Sequence, residues 1–276
     1  MSDHDRDESE LRIAADRAAL PFTLLEQMQI PCGYERSFKM LPGMLLANRY
    51  LLGVDLKNLG FEQLRSICQR LNMPEEFFTS LSEQLPSANL VFLGFEDNPP
   101  TGMYKVYLEF WEQVKSEVQS KPASLEPRLL HLGFKWNAAD NTQRTISRYQ
   151  CYPLLSTEGI LQRMTDVYAD RVECVSLEIA AEIVAFAASR SEPGSFIYVE
   201  VIEGDSLRSS FDINLYSAML PLSSIKPALI RLRDHFAIPT DTFDRLYPLT
   251  CDKLLGHLSG GISQRGEDFV TIYYEV

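Results

Sequence analysis

The feature that constrains this chain most is an order of periods. Five times along the sequence, two short runs with apolar residues at every second position are joined to a longer stretch with a period near 3.6. The paired runs are Tyr34–Met40 with Arg49–Leu56, Leu90–Glu96 with Tyr104–Phe110, Arg128–Trp136 with Thr145–Pro153, Phe196–Ile202 with Arg208–Tyr216, and Leu254–Ile262 with Phe269–Val276. Helical patterns cover Ser9 to Met28, with an interruption expected at Pro21, then Phe61–Leu85, Trp111–Gln119, Thr157–Ser189 and Ser224–Asp252. Turn signals fall inside the pairs, as at Asp97-Asn-Pro-Pro-Thr-Gly102 and Glu203-Gly-Asp205. Five hairpins alternating with helices predict an α+β fold. A long-period echo supports repetition: Leu64 to Phe78 resembles Leu229 to Phe243, and Val106-Tyr-Leu-Glu109 resembles Ile272-Tyr-Tyr-Glu275.

Successive strand side chains point to opposite faces, so each run divides into two rows. Leu130, Leu132, Phe134 and Trp136 oppose His131, Gly133 and Lys135; Tyr104, Val106, Leu108 and Phe110 oppose Lys105, Tyr107 and Glu109. Likewise Phe211, Ile213 and Leu215 oppose Arg208, Ser210, Asp212, Asn214 and Tyr216. The apolar rows are the candidate core, covered by the amphipathic helices. The other rows are rich in Tyr, Arg, Lys, His and carboxylates. Ten antiparallel strands tend to curl or close, which predicts a closed ten-stranded barrel with helices outside and a polar lumen. An open two-layer sheet with a solvated face is the competing reading.

Composition narrows the functions. Thirty-eight acids against 26 bases give a net charge of −12, which argues against nucleic acid and anionic membrane surfaces. The five cysteines are scattered and contain no C-x-x-C, so free thiols in a reducing cytoplasm are expected rather than a disulfide framework or a zinc site. Residues 1–10 are acidic and polar, read as a disordered tail rather than a secretory signal; 11–276 is read as one domain. The D-D-x-x-D, G-x-S-x-G, G-x-x-x-x-G-K-[ST], H-E-x-x-H and G-x-G-x-x-G signatures are absent. Gly260 to Gly266 reads as a strand kink and turn, since no helix follows it.

Several strands resemble one family. Cys32-Gly-Tyr-Glu35-Arg-Ser-Phe-Lys39, Leu46-Ala-Asn-Arg49-Tyr-Leu-Leu52, Tyr104-Lys105-Val-Tyr107, Leu130-His-Leu-Gly-Phe134 and Val270-Thr-Ile-Tyr273-Tyr274 are similar to strands of the ABBA, or PT-barrel, prenyltransferases, closest to the cyanobactin-type peptide prenyltransferases. The resemblance covers nearly the whole chain from Cys32. It departs where Tyr107 and Glu109 stand in place of further bases on the Lys105 strand. It implies ionisation of a dimethylallyl or geranyl diphosphate and capture of the allylic cation by a peptide or small aromatic acceptor, in a cytoplasmic monomer of natural-product (RiPP) biosynthesis, with Mg²⁺ accompanying the diphosphate and no protein-built metal cage.

That chemistry asks three things of the polar rows. Bases must hold the leaving diphosphate: Arg49, Lys105, Lys135, Arg148 and Arg208 are the candidates. Aromatic faces must shield the cation: Tyr107, Tyr152, Tyr198, Tyr216 and Tyr273. An acid must orient or deprotonate the nucleophile: Glu35 by resemblance, with Glu200, Asp212 and Glu109 in reserve; Glu200, Asp212, His131 and His257 are also candidate acceptor contacts, and the two histidines secondary candidates for the diphosphate. The parity of Thr145–Pro153 leaves open whether Arg148 and Tyr152 face in or out. A barrel that binds a ligand without chemistry, or an open-sheet interaction protein, are the alternatives.

Overall fold

The structure is a computed structural model that describes residues 3–97, 101–121, 124, 126–168, 171, 174–204, 206 and 208–275. In chain order the elements are α1 (Asp3–Gln27), β1 (Gly33–Leu41), β2 (Met44–Asp55), α2 (Phe61–Arg70), α3 (Glu75–Gln84), β3 (Leu90–Glu96), β4 (Met103–Glu109), α4 (Trp111–Ser120), β5 (Arg128–Asn137), β6 (Arg144–Tyr152), α5 (Thr157–Val167), α6 (Val175–Ala188), β7 (Ile197–Ile202), β8 (Ser209–Asn214), α7 (Lys226–His235), α8 (Thr240–Thr250), β9 (Leu255–Ile262) and β10 (Asp268–Glu275). The hydrogen-bonded order β1-β10-β9-β8-β7-β6-β5-β4-β3-β2 closes on itself. This excludes the open-sheet reading, whose outer strands would keep unpaired edges. Among the described residues no helix is long and apolar enough to cross a membrane. α1 takes in most of the segment expected as a tail.

Two compact units share these elements. The first holds residues 1–34, 48–116 and 131–147. Here Tyr50, Leu52, Val54, Val91, Leu93, Phe95, Val106, Leu108, Phe134 and Trp136 form the buried row. α2 and α3 supply buried Leu64, Ile67, Phe77 and Leu81. The Phe77 and Phe134 rings lie 5.4 Å apart, and Trp136 donates from Nε1 to the Leu71 carbonyl at 2.9 Å.

α1 belongs to this unit and runs through Pro21 rather than stopping there. A proline inside a helix has no N–H for the carbonyl four residues back, which here is that of Arg17. The Tyr104 hydroxyl donates to that carbonyl at 3.0 Å, and the Tyr50 hydroxyl donates to the Ala18 carbonyl at 2.5 Å. Two strand tyrosines thus satisfy the turn that proline opens.

The second unit holds residues 35–47, 117–130 and 148–276. α6 lays Ile179, Ala180, Ile183, Val184 and Ala187 into a core with Tyr198, Phe211, Ile213, Leu258, Val270 and Ile272. The sequence echo is structural here. Helices α2 and α7 end on residues with left-handed backbone, Asn72 (φ 56°) and Ala237 (φ 51°). Each is closed by a following N–H that donates five residues back: Met73 to the Cys68 carbonyl at 2.9 Å and Ile238 to the Arg233 carbonyl at 3.0 Å. Pro74 and Pro239 then open the next helices.

Candidate active site: two polar groups on the inner strand faces

On the first unit's strands, the face turned away from the helices is ordered in steps. Register places Arg49 opposite Glu96, and Lys105 opposite both Gly94 and Lys135. The Arg49 guanidinium lies 3.2 Å from the Glu96 carboxylate, and the Lys105 ammonium is paired with the same oxygen. Arg49 and Lys135 are each only 6% exposed. Two bases thus share one carboxylate, with a third, Lys135, opposite Lys105. Burial pulls Lys105 down to about 8, the charges of Arg49 and Lys135 push the same way, and Glu96 resists. An anion brought here would meet three bases on one face.

The next step along the same face holds Gly53, Phe92, Tyr107 and Gly133. Beyond it His131 stands opposite Glu109, and the side-chain amide of Asn89 donates to Glu109 at 3.0 Å.

The second unit carries a different group. Ser37 faces Tyr273 and Glu35 faces Glu275 across β1 and β10, with Asp212 and His257 on β8 and β9. Tyr216 sits in the short 3-10 turn after β8, and its hydroxyl donates to Glu35 Oε1 at 2.6 Å. A Cβ on Gly256 would stand 2.5 Å from the Tyr216 hydroxyl and 2.9 Å from Glu35 Oε1, so only glycine leaves room for this pair. His257 Nδ1 lies 2.7 Å from Asp212 Oδ1. The His257 ring stands edge-on to Tyr216 at 5.7 Å and to Tyr273 at 5.8 Å. Burial pushes the Glu35 carboxyl above the ordinary carboxylate range and Asp212 adds to this, while His257 and the Tyr216 hydrogen bond oppose it. Burial and Glu35 together raise the Tyr216 phenol. A carboxyl whose proton affinity burial raises, beside a carboxylate-bound imidazole, can accept a proton.

Other expected residues lie elsewhere. Glu200 pairs in register with Phe211 and Tyr198 with Ile213; Gln150 pairs with Glu200, Tyr152 with Tyr198 and Arg148 with Ile202. Arg148, Tyr152, Tyr198 and Glu200 therefore share the face of the helix-covered core residues, not that of Asp212. Glu200 is held by Arg163 of α5 through two contacts, at 2.8 and 3.1 Å. Tyr198 donates to it at 3.1 Å, and Arg163 lies 3.5 Å from the Tyr152 ring centre. These residues clasp a helix to the strands. β7 has apolar residues on both faces, so its alternation carries no sign of which side is inward.

Arg208 is tied to buried Glu203 at 2.7 Å and to Ser210 at 2.9 Å, and the Gln264 amide donates to the other Glu203 oxygen. Lys39, facing Thr271 and 4.2 Å from the Phe269 ring centre, is an inner-face base that sequence reasoning missed, as it missed Glu96 and Phe92. The alternation that marked Lys105 as inward marks Phe92 and Glu96 too, by pairing.

Among the described residues no group of three or more His, Cys, Asp and Glu is placed to hold a metal. Beside the bases the Glu96 carboxylate is already shared by Arg49 and Lys105, while a hard divalent cation asks for several oxygen ligands. The donor set does not fit a protein-held Mg²⁺.

A scan against protein-family models finds no match, and neither does a search of curated proteins. Solved structures do share the architecture. The 6-dimethylallyltryptophan synthase of Micromonospora olivasterospora, solved with DMASPP and Trp, is similar at TM-score 0.56 and 14% identity over 88% of this chain and 81% of that one. PriB, solved with product diphosphate, gives 0.56 and 15% over 88% and 79%. AnaPT of Neosartorya fischeri gives 0.55 and 12% over 88% and 78%. At these identities the likeness lies in the fold: the chain has the ABBA, or PT-barrel, architecture, ten antiparallel strands closed into a barrel and dressed with helices.

Proposed function

We propose that residues 11–276 act as one catalytic domain, a prenyltransferase that moves a dimethylallyl-sized group from its diphosphate to an aromatic or peptide side chain. The observation that carries this reading is the set of three bases on one inner face of the fold that PriB also has, Arg49 and Lys105 on the Glu96 carboxylate and Lys135 opposite Lys105. The carbon–oxygen bond to the diphosphate breaks, and the bases take the departing anion, standing where a divalent cation would otherwise neutralise it. Tyr107, one step along the same face, offers its ring to the cation, worth on the order of 0.5–2 kcal/mol; Tyr216 and Tyr273 are the aromatic candidates of the second unit. The acceptor attacks the allylic carbon and gives up its proton to a base; the second unit's candidates for that base are Glu35 and His257, whose Nδ1 lies on Asp212. The peptide acceptors of the cyanobactin-type enzymes and the tryptophan bound by the Micromonospora synthase bracket the acceptor class. Five cysteines free of disulfides suit a cytoplasmic monomer in natural-product biosynthesis.

The test is incubation with dimethylallyl and geranyl diphosphates and a pool of amino acids and cyclic peptides, scored by mass spectrometry. Transfer of an isoprene unit by the wild type, abolished together with diphosphate binding in Arg49→Ala, is the expected result. A ligand-binding barrel without chemistry would give binding and no product.

A further inference from the structure

On the helix-bearing side of the second unit, a cavity of about 460 Å³ lies between the first turn of α5, the end of α6 and the loop that leads into β7, a volume typical of ligand sites. Its floor is apolar: Ile160 and Phe196 are buried, with Leu155 and Ala188 half-buried beside them. Its charged groups are all acidic. Glu158 and Glu192 stand exposed at its edge, and among the described residues no lysine, arginine or histidine lines it. The backbone N–H of Glu158 and the Ser156 hydroxyl hold the Glu158 carboxyl below the ordinary carboxylate range, so it keeps its charge. α6 adds the negative pole of a 14-residue helix whose last turn carries no base. The hydroxyls of Ser189 and Ser191 donate to the Phe186 and Ala187 carbonyls there, and Arg190 lies over the Phe186 ring, 4.8 Å from its centre.

Leu154 borders the same cavity. Its backbone is left-handed, with φ of 63°, a conformation that disfavours any residue with a Cβ. Its side chain is nevertheless 63% exposed, so packing within the fold does not recover that cost. A strained residue that offers a large apolar side chain to water points to a contact outside the fold. We propose that this cavity docks a basic peptide segment in which a leucine-sized or aromatic side chain stands next to an arginine or lysine. The apolar side chain enters over Phe196 and Ile160, the neighbouring cation meets Glu158 and Glu192, and the chain beyond lies against Leu154. The cation stays at the edge, where it keeps part of its hydration, while only the apolar group is dried. Charge selects the occupant: an all-acidic lining in a protein of net charge −12 draws a basic peptide and repels an acidic one or an anionic lipid surface. The site takes no part in the chemistry of the inner strand faces and does not depend on the transferase reading.

The test is fluorescence anisotropy of the full chain with labelled Gly-Leu-Arg-Leu-Arg-Gly amide, and with the same peptide carrying Glu for Arg or Ser for Leu. The wild type is expected to bind the Leu-Arg peptide about tenfold or more tighter than either control, with affinity falling as salt is raised. Replacing both Glu158 and Glu192 by Gln should weaken it by about tenfold, the combined effect of two ion pairs at an exposed edge. Leu154→Gly separates docking from folding: it relieves the strained backbone, so Tm should hold or rise while peptide affinity falls. Equal binding of the Leu-Arg and Leu-Glu peptides by the wild type, or unchanged affinity in both variants, overturns the proposal. Prenyl transfer is not part of the readout, so either result leaves the transferase reading standing.

Discussion

The inner faces of the two units are built from opposite materials. In the first, Arg49 and Lys105 meet on the Glu96 carboxylate and Lys135 stands opposite Lys105; in the second, Glu35 and Asp212 are set among His257, Tyr216 and Tyr273. The net charge of −12 describes neither. What matters chemically is the local arrangement: a cluster of bases suited to a departing diphosphate, and carboxylates beside an imidazole suited to an acceptor that must lose a proton. The pKa shifts express the same contrast, Lys105 being pulled down and Glu35 pushed up, both chiefly by burial.

The sharpest way to separate the two groups is to disable the acidic one alone. Glu35→Gln is expected to lower kcat by roughly a hundredfold or more, the scale of general-base catalysis, with diphosphate affinity unchanged. Because the carboxyl is raised by burial, the wild-type rate should fall on the acid side at a higher pH than an ordinary carboxylate would give, and the variant should lose that limb. Gly256→Ala, which drives a Cβ into Tyr216 and Glu35, should share the loss of turnover without losing diphosphate binding. Equal damage to diphosphate affinity in either variant would break the division of labour.

A smaller effect tests the basic group. Lys105 is charged below about 8 and neutral above it, so affinity for inorganic diphosphate should drop as pH rises through that value. The drop is expected to be roughly tenfold, about the 1.5 kcal/mol of one charge-assisted hydrogen bond. Lys105→Arg, which stays protonated, should flatten the profile. Calorimetric titration at a series of pH values reads both.

How much of this was legible in the sequence follows from alternation. Where one face is apolar and the other polar, as in β4 and β5, strand bounds and inward residues could be read directly, and Lys105, Lys135, Tyr107 and His131 lie where the alternation puts them. β7 carries Ile197, Val199 and Val201 on one side and Tyr198 and Ile202 on the other, so nothing local distinguishes its faces. Tyr198 and Glu200 were accordingly read as inward, when they clasp α5. The continuation of α1 through Pro21 depends on Tyr50 and Tyr104, distant in sequence, and the Glu35–Tyr216 pair joins positions 181 residues apart.

The smallest effect concerns the echo shared by the units. The helix α2 ends on Asn72 and α7 on Ala237, both left-handed. Asparagine tolerates that conformation and alanine does not, at a cost of about 1 kcal/mol. Ala237→Gly or Ala237→Asn should raise Tm by roughly 2–4 °C, whereas Asn72→Ala should lower it. Thermal unfolding monitored by circular dichroism reads the sign.

The central claim is most directly tested by mass spectrometry of wild-type and Arg49→Ala protein incubated with dimethylallyl diphosphate and the acceptor pool. With the wild type an acceptor heavier by one isoprene unit is expected. No such product is expected with Arg49→Ala, alongside a loss of diphosphate affinity of about a hundredfold, as when one member of a buried charge group is truncated. No isoprene on any acceptor, with diphosphate bound equally by both proteins, would contradict the claim.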